Sequence, residues 1–430
     1  MKRIKLAAFA APFVLLSLAA KPAFAADDVE TLKQQLKTLE ARINQLEETK
    51  TTTEPVAVSS APPSNPNSFN PAIGLVLNGT YGAYSQNDNN IAGFAVGDEG
   101  ERGDEGFSLG ESELSVSANI DDMFAGNFVG SFNTENEVEI EEAFVQTLGL
   151  PDGLNIKAGR MLANLGYMNE KHAHTDDFAD RPLPYRAFLN SAFNDDGVQA
   201  SIILPTDLYT EIGGGVWRGD DFPAAEAQGS SPGAYTAYAR VGGDIGDDQT
   251  WRVGASYLHS DANGDGRITG EAAAEQAFKG KDDLYIADAK YTWAPTGNAQ
   301  QQELILQGEY FWRKEDGTYA DAGASIADTA YDGSQSGYYG QAVYKFDPEW
   351  RAGYRYTALS ADDVHTGLVG SALDSDGHDP YVHSAMVDFT NSEFSRIRLQ
   401  YNNDHSGAET DNQFLVQYIM SLGAHGAHKY

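Results

Sequence analysis

The chain has 430 residues, with 29 basic against 63 acidic side chains, a formal net charge of −34 and no cysteine. That balance excludes a nucleic-acid partner, whose phosphates need a basic surface. The missing thiols exclude a disulfide framework and a thiolate metal site.

Lys2, Arg3 and Lys5 precede an apolar run from Leu6 to Ala20, and Ala23-Phe24-Ala25 forms a small-residue cleavage site. Residues 1–25 therefore read as a secretory signal peptide. Its loss, with four basic residues and no acid, takes the net charge from −34 to −38. No other stretch is apolar over the length that a membrane-crossing helix requires. Within residues 26–48, Val29, Leu32, Leu36, Leu39, Ile43 and Leu46 alternate in steps of three and four. That is an a/d seam, so a short periplasmic coiled-coil helix is expected, either assembling a homotrimer or docking on a barrel mouth. Residues 49–68, rich in Thr, Ser and Pro, read as a flexible linker. What precedes the first strand is too short to fold as a large plug.

From residue 69 to the C-terminus the pattern predicts an all-β, up-and-down antiparallel transmembrane barrel of about sixteen strands. Apolar residues alternate in Ile73, Leu75, Leu77; in Leu114, Val116, Ala118, Ile120; and in Phe124, Phe128, Phe132. They alternate again in Val198, Ala200, Ile202, Leu204; in Trp251, Val253, Ala255, Tyr257; in Leu304, Leu306, Gly308, Tyr310, Trp312; and in Phe414, Val416, Tyr418, Met420. Each set covers one face of a strand. The intervening positions are mostly polar or glycine, as a water-filled lumen requires. Tight turns are predicted at Leu150-Pro151-Asp152-Gly153, Pro205-Thr206-Asp207, Gly246-Asp247-Asp248, Asp347-Pro348-Glu349 and Asn391-Ser392-Glu393, from residue types that preset φ, permit positive φ or bond their own backbone. Long polar connectors are expected near 86–106, 161–196, 218–233, 259–281, 313–336 and 358–380. Short and long connectors alternate, as a barrel with both ends in the periplasm demands. Trp217, Trp251, Trp293, Trp312 and Trp350 fall at the ends of predicted strands and are expected to form an aromatic girdle.

The runs FSLGESELSVSANIDD, NIKAGRMLANLGYMNEKHAH and DDFADRPLPYRAFL, with the closing IMSLGAHGAHKY, resemble the LbtU-type siderophore porins of gammaproteobacteria. The stretch Gly166 to Leu189 is the longest specific run, and the resemblance extends over nearly all of the mature chain. More distantly, a coiled coil ahead of a barrel looks like the phosphate-selective porins. The resemblance implies an outer-membrane barrel that passes ferric siderophores without a plug domain.

The loop after the fifth strand concentrates Glu170, His172, His174, Asp176, Asp177 and Asp180. In an extended segment His172 and His174 share a face, and imidazole with carboxylate suits zinc, iron or nickel. The other reading is a constriction loop folded into the lumen, with Arg181 and Arg186 paired to acids. Both place the loop, with Tyr185 and the neighbouring Arg160, on the solute path. By parity Arg240, Arg252, Arg351, Arg355, Arg396 and Arg398 point inward, and so do Glu111 and Glu113 on strand two. Such walls either orient a chelating or anionic solute or hold one another as salt bridges. Asp261, Asn263 and Asp265, with Gly266, match the start of an EF-hand loop. Position twelve is Ala272, so Glu271 is the candidate substitute ligand for calcium. No nucleophile elbow or zinc-protease motif occurs, so an enzyme is not expected.

The sequence is therefore expected to encode an integral outer-membrane channel for a ferric siderophore or similar metal chelate. The alternative is a general or anion-preferring, phosphate-type diffusion porin. Outer-membrane lipid and lipopolysaccharide, bridged to the acidic loops by divalent cations, are the expected surroundings, and no cofactor is required.

Overall fold

A computed structural model describes residues 71–132, 138–226, 229–270 and 274–423. The expected signal peptide, coiled-coil helix and linker lie outside them. The strands are β1 (Ala72–Tyr84), β2 (Gly106–Leu109), β3 (Ser112–Asn119), β4 (Phe124–Phe132), β5 (Val138–Thr147), β6 (Leu154–Leu162), β7 (Asn194–Ile203), β8 (Tyr209–Trp217) and β9 (Ala234–Ile245). They continue with β10 (Gln249–Thr269), β11 (Gln276–Trp293), β12 (Glu303–Asp321), β13 (Ile326–Asp347), β14 (Trp350–Ala361), β15 (Tyr381–Ser392), β16 (Ser395–His405) and β17 (Asp411–Gly423). β17 closes on β1 from Gly74–Gly423 to Tyr84–Gln413. Closure leaves no sheet edge, the condition for a strand-built membrane span. β2 and β3 both pair with β1, so they are one stave broken at Gly110-Glu111 and the barrel has sixteen staves. At the break, a Cβ on Gly110 would lie 2.7 Å from the Asn78 amide, and Ser112 Oγ accepts from the Asn78 backbone N–H at 3.0 Å.

The lipid face follows the predicted alternation. Val253, Tyr310, Tyr354, Leu399, Phe414 and Tyr418 are exposed outward, while Arg355, Arg398 and Gln417, at inward positions, are buried. The five predicted tight turns all connect paired strands. Trp293, Trp312 and Trp350 are exposed on the outer surface. Trp217 is a correction to the girdle. It points inward, 1% exposed, its Nε1 donates to Thr236 Oγ1 at 2.9 Å, and its ring meets Phe193 edge-on.

Two expected loops are strands instead. β10 to β13 run 21, 18, 19 and 22 residues, whereas about ten residues span the hydrocarbon. The regions 259–281 and 313–336 are therefore the far halves of long hairpins. Beyond the membrane both faces of a strand can be polar, so apolar alternation stops while pairing continues. Phe278, Tyr319 and Tyr331 on these hairpins pack with Leu368 and Leu373 of the 362–380 connector.

The lumen is not lined by polar groups throughout. Leu258, Leu284, Ile286, Phe311, Tyr339 and Leu359 point inward and form an apolar seat. Residues 163–193, between β6 and β7, fold back into the barrel and carry helix α1 (Leu183–Leu189), whose seven residues are all buried. Pro182 and Pro184 preset its start, and Asn190 ends it in the left-handed region at φ 47°. A helix this short has little stability of its own. It is held by Leu183, Phe188 and Leu189 against the seat, with Phe188 against Phe311 and against Phe94 of the first long connector.

Phe188→Ala removes a fully buried ring, at a cost of roughly 3–5 kcal/mol. Because the wall hydrogen bonds are untouched, the variant should remain a heat-modifiable, β-rich barrel while protease cleaves within 163–193 at least tenfold faster. Unchanged cleavage would contradict the packing described.

Candidate functional site

Gly166 turns the chain into the lumen at φ +59°, where a Cβ would lie 2.1 Å from Glu309 Oε2, so glycine alone fits. Asn169 closes the neck of the segment: its Nδ2 donates to the Ala163 and Phe193 carbonyls, and the Phe193 N–H donates back to its Oδ1. At the centre sits Glu309 of β12. It accepts from Tyr185 Oη at 3.0 Å, Tyr339 Oη at 2.6 Å and the Tyr167 backbone N–H at 2.9 Å. Burial and the Glu309 carboxylate push the Tyr185 phenol well above its ordinary range, keeping it a donor.

Every arginine that parity placed inward does point inward, and the inserted segment meets each of them. Arg240 and Arg252 donate to Glu170 at 2.8 and 3.3 Å, and both reach the Gly166 carbonyl. Arg351 donates to Asp177 at 2.9 Å. Arg355 donates to the Asp180 carboxylate at 2.5 Å and to its backbone carbonyl. Arg396 donates to the His174 carbonyl at 2.6 Å, and Arg398 to the Asp176 carbonyl at 2.8 Å. Asp388 of β15 joins Arg351 and Arg398 from behind. Although burial works against it, Arg355 and the Gln400 amide hold the Asp180 carboxyl below its usual range. These contacts make an ionic latch between the segment and β9, β10, β14 and β16.

Arg181 stays within the segment, donating to Asp176 at 3.0 Å and to the Ser191 and Lys171 carbonyls. Arg186 donates to the Gly100 carbonyl, so its partner is backbone in the first long connector and not the expected acid. Arg160 lies apart from the latch, near Asp196 at 3.3 Å and Asp221 at 3.0 Å. On the opposite wall, Glu113 of β3 faces both histidines. His174 Nδ1 is 2.6 Å from Glu113 Oε1, and His172 approaches Glu113, Glu141 and Glu142. Burial, then the charge of His172, pushes His174 down to about 3. Burial also opposes a charge on His172, yet Glu141 and Glu142 raise it well above its ordinary value. Glu111 lies in the break between β2 and β3.

Asp261, Asn263 and Asp265 do not form the expected loop. They belong to β10, where the register against β11 shifts between Ala262 and Arg267. Asp261 and Asn263 exchange backbone hydrogen bonds with Ala225 there. Gly266, the glycine that suggested a calcium loop, serves this bulge at φ +96°, together with Gly264 at φ +57°. Glu271 lies outside the described residues. At the long-loop mouth, a polar cavity of about 240 Å³ lies between Arg102, Arg186, Asp404, Glu409 and Asp411.

Sequence reasoning missed Glu309, Asp388, Glu141 and Glu142. Glu309 and Asp388 stand at inward parity, opposite the lipid-facing residues of their strands, which was a readable signal. Glu141 was not readable, because it is the extra residue of a bulge.

No family model matches the chain. An uncharacterized protein of Aquifex aeolicus (strain VF5) is 28% identical over 399 residues, 86% of this chain and 81% of that one. Among solved structures, the loop-L8 deletion mutant of OmpT, an outer membrane protein of Vibrio cholerae, matches with TM-score 0.52 and 11% identity, over 82% of this chain and 99% of its own. The outer membrane channel DcaP of Acinetobacter baumannii matches with 0.52 and 12%, over 82% and 97%. An anion-selective porin from Comamonas acidovorans matches with 0.50 and 10%, over 82% and 99%. The likeness is one of fold. This chain has the sixteen-stranded antiparallel porin barrel.

Taking one member from a fully buried ion pair costs about 3–5 kcal/mol, because the other charge stays behind. Asp388→Asn should therefore destabilise the detergent-folded protein more than Asp388→Asn combined with Arg398→Gln does relative to Arg398→Gln alone. Calorimetric unfolding of the four proteins checks this coupling, and strict additivity would contradict it.

Proposed function

We propose that the protein is an integral outer-membrane channel, closed by residues 163–193, that admits its solute only when part of the latch yields. The observation that carries this reading is the set of lumen arginines, each bonded to the inserted segment. A segment pinned at Glu170, Asp177 and Asp180 and seated on apolar wall residues narrows the bore. The solute class follows from the resemblance to siderophore porins: a ferric siderophore or similar metal chelate. Such a ligand needs more width than a small ion, so its passage requires α1 or its flanks to shift. The cavity under Arg102 and Arg186, with acids beside it, offers mixed charge to a chelate at the mouth.

A general or anion-preferring diffusion porin is less well supported. It needs open bore or free guanidinium groups, and Arg240, Arg351, Arg355 and Arg398 already hold carboxylates. Assembly as a trimer belongs to the same proposal, supported by the heptad seam before the barrel. So does lipopolysaccharide bridged by cations to the acidic loops.

Reconstitution into planar bilayers and liposomes tests the reading. The wild-type channel should show low conductance and pass a ferric chelate faster than a sugar of equal size. Deleting His172 to Asp177 should raise conductance several-fold and abolish that preference. Equal permeation by chelate and sugar, with conductance unchanged by the deletion, would contradict it.

A further inference from the structure

Consecutive residues of a strand face opposite sides of the sheet. Glu141 and Glu142 of β5 nevertheless both reach one imidazole. The register of β5 against β4 shifts between Val129 and Gly130, so that Glu142 pairs with Val129, Ile140 with Gly130, and Glu141 is the extra residue. Bulges of this kind re-aim a side chain and recur beside functional sites. Here the bulge turns Glu141 toward His172, with Oε1 3.1 Å from Nδ1. Glu113 of β3 brings Oε2 to 3.4 Å from the same nitrogen. The ligand atoms of Glu113, Glu141 and His172 all lie within 4.8 Å of one another, the group of this kind among the described residues. Two ligands of one tetrahedral ion, each about 2.0–2.2 Å from it, stand roughly 3.3–3.6 Å apart.

The surroundings are those of a ligand set. His172 Nδ1 and the second Glu141 oxygen, Oε2, are buried and neither has a hydrogen-bond partner. On the far side of the ring, His172 Nε2 is 3.4 Å from Glu142 Oε2, which Asn127 Nδ2 holds at 2.9 Å. A carboxylate behind a histidine fixes the tautomer that presents the other nitrogen to a metal. Glu113 is oriented in the same way, through His174 on its other oxygen at 2.6 Å.

We propose that Glu113, Glu141 and His172 bind a divalent first-row transition ion, with Glu142 and His174 as orienting partners. Mixed imidazole and carboxylate donors suit zinc or iron(II), and three protein ligands leave one position for water. Calcium, which takes six to eight oxygens, is a poor fit. The ion takes His172 as neutral imidazole, with its Nε2 side toward Glu142. The ion ties the inserted segment to β3 and β5, across the lumen from the arginine latch. This inference does not depend on which solute passes.

Zn²⁺ titration of the full, detergent-folded chain by calorimetry, in buffer with millimolar Ca²⁺ and Mg²⁺ to fill surface carboxylates, tests it. One ion per chain should bind. Affinity should fall at least 100-fold in H172Q and in E141Q, about 10–100-fold in E142Q, and not at all in the turn variant D152N. Heat-modifiability on gels confirms that each variant is folded. Zn²⁺ binding that is equal in wild type and H172Q, or displaced by Ca²⁺, or absent from the folded wild type, overturns the proposal.

Discussion

A guanidinium taken out of water must find carboxylate or carbonyl oxygens, and the interior of this barrel is organised around that requirement. Arg351, Arg355 and Arg398 are each 7% exposed or less, and their partners come from two sources. Asp388 belongs to the wall, whereas Asp177, Asp180 and the Asp176 carbonyl belong to the segment that enters the lumen. Without the segment these arginines would face water, and Asp388 would be left to pair with Arg351 and Arg398. With it, charges on neighbouring staves become one network, and the wall and its occupant depend on each other.

The same segment meets the wall by three chemistries in three places. Ion pairs face β9, β10 and β14, and arginine-to-carbonyl hydrogen bonds face β16. Apolar contacts hold α1 on Leu258, Leu284, Phe311 and Leu359. Histidines face the carboxylates of β3 and β5. Glu309 lies between, accepting from two tyrosines and a backbone amide. Apolar packing is indifferent to salt and orientation, while the ionic contacts are directional and weaken where water reaches them. An element held in this mixed way can yield at its polar contacts while the strands keep their register. The proposed opening therefore assigns movement to the segment rather than to the wall.

Much of this was legible in the residues. Lipid-facing alternation in Leu304 to Trp312 and Phe414 to Met420, the Pro-, Gly- and Asp-bearing turns, and the inward parity of six arginines all follow from the period of a strand. The inserted loop was legible as charge and histidine density after the fifth strand. The seat under α1 was written in Leu258, Leu284 and Phe311, apolar side chains at lumen parity, but a water-filled lumen was the simpler reading. The hairpin extensions were hidden because strands outside the membrane lose their apolar face without losing their partners. Trp217 was misplaced because a strand end fixes height and not facing. The Glu141 bulge was beyond reach, since one extra residue reverses parity without leaving a mark in composition.

The chain has no cysteine, so a single introduced thiol reports the position of the segment directly. Ala187 on α1 is fully buried, and Asp328 on β13 is exposed. Ala187→Cys in the reconstituted protein should react with a membrane-impermeant maleimide at least 100-fold more slowly than Asp328→Cys, and should approach it once Asp177 and Asp180 are both changed to Asn. Equal reaction rates for the two cysteines in the otherwise unaltered chain would mean that the lumen is open and the latch does not close it.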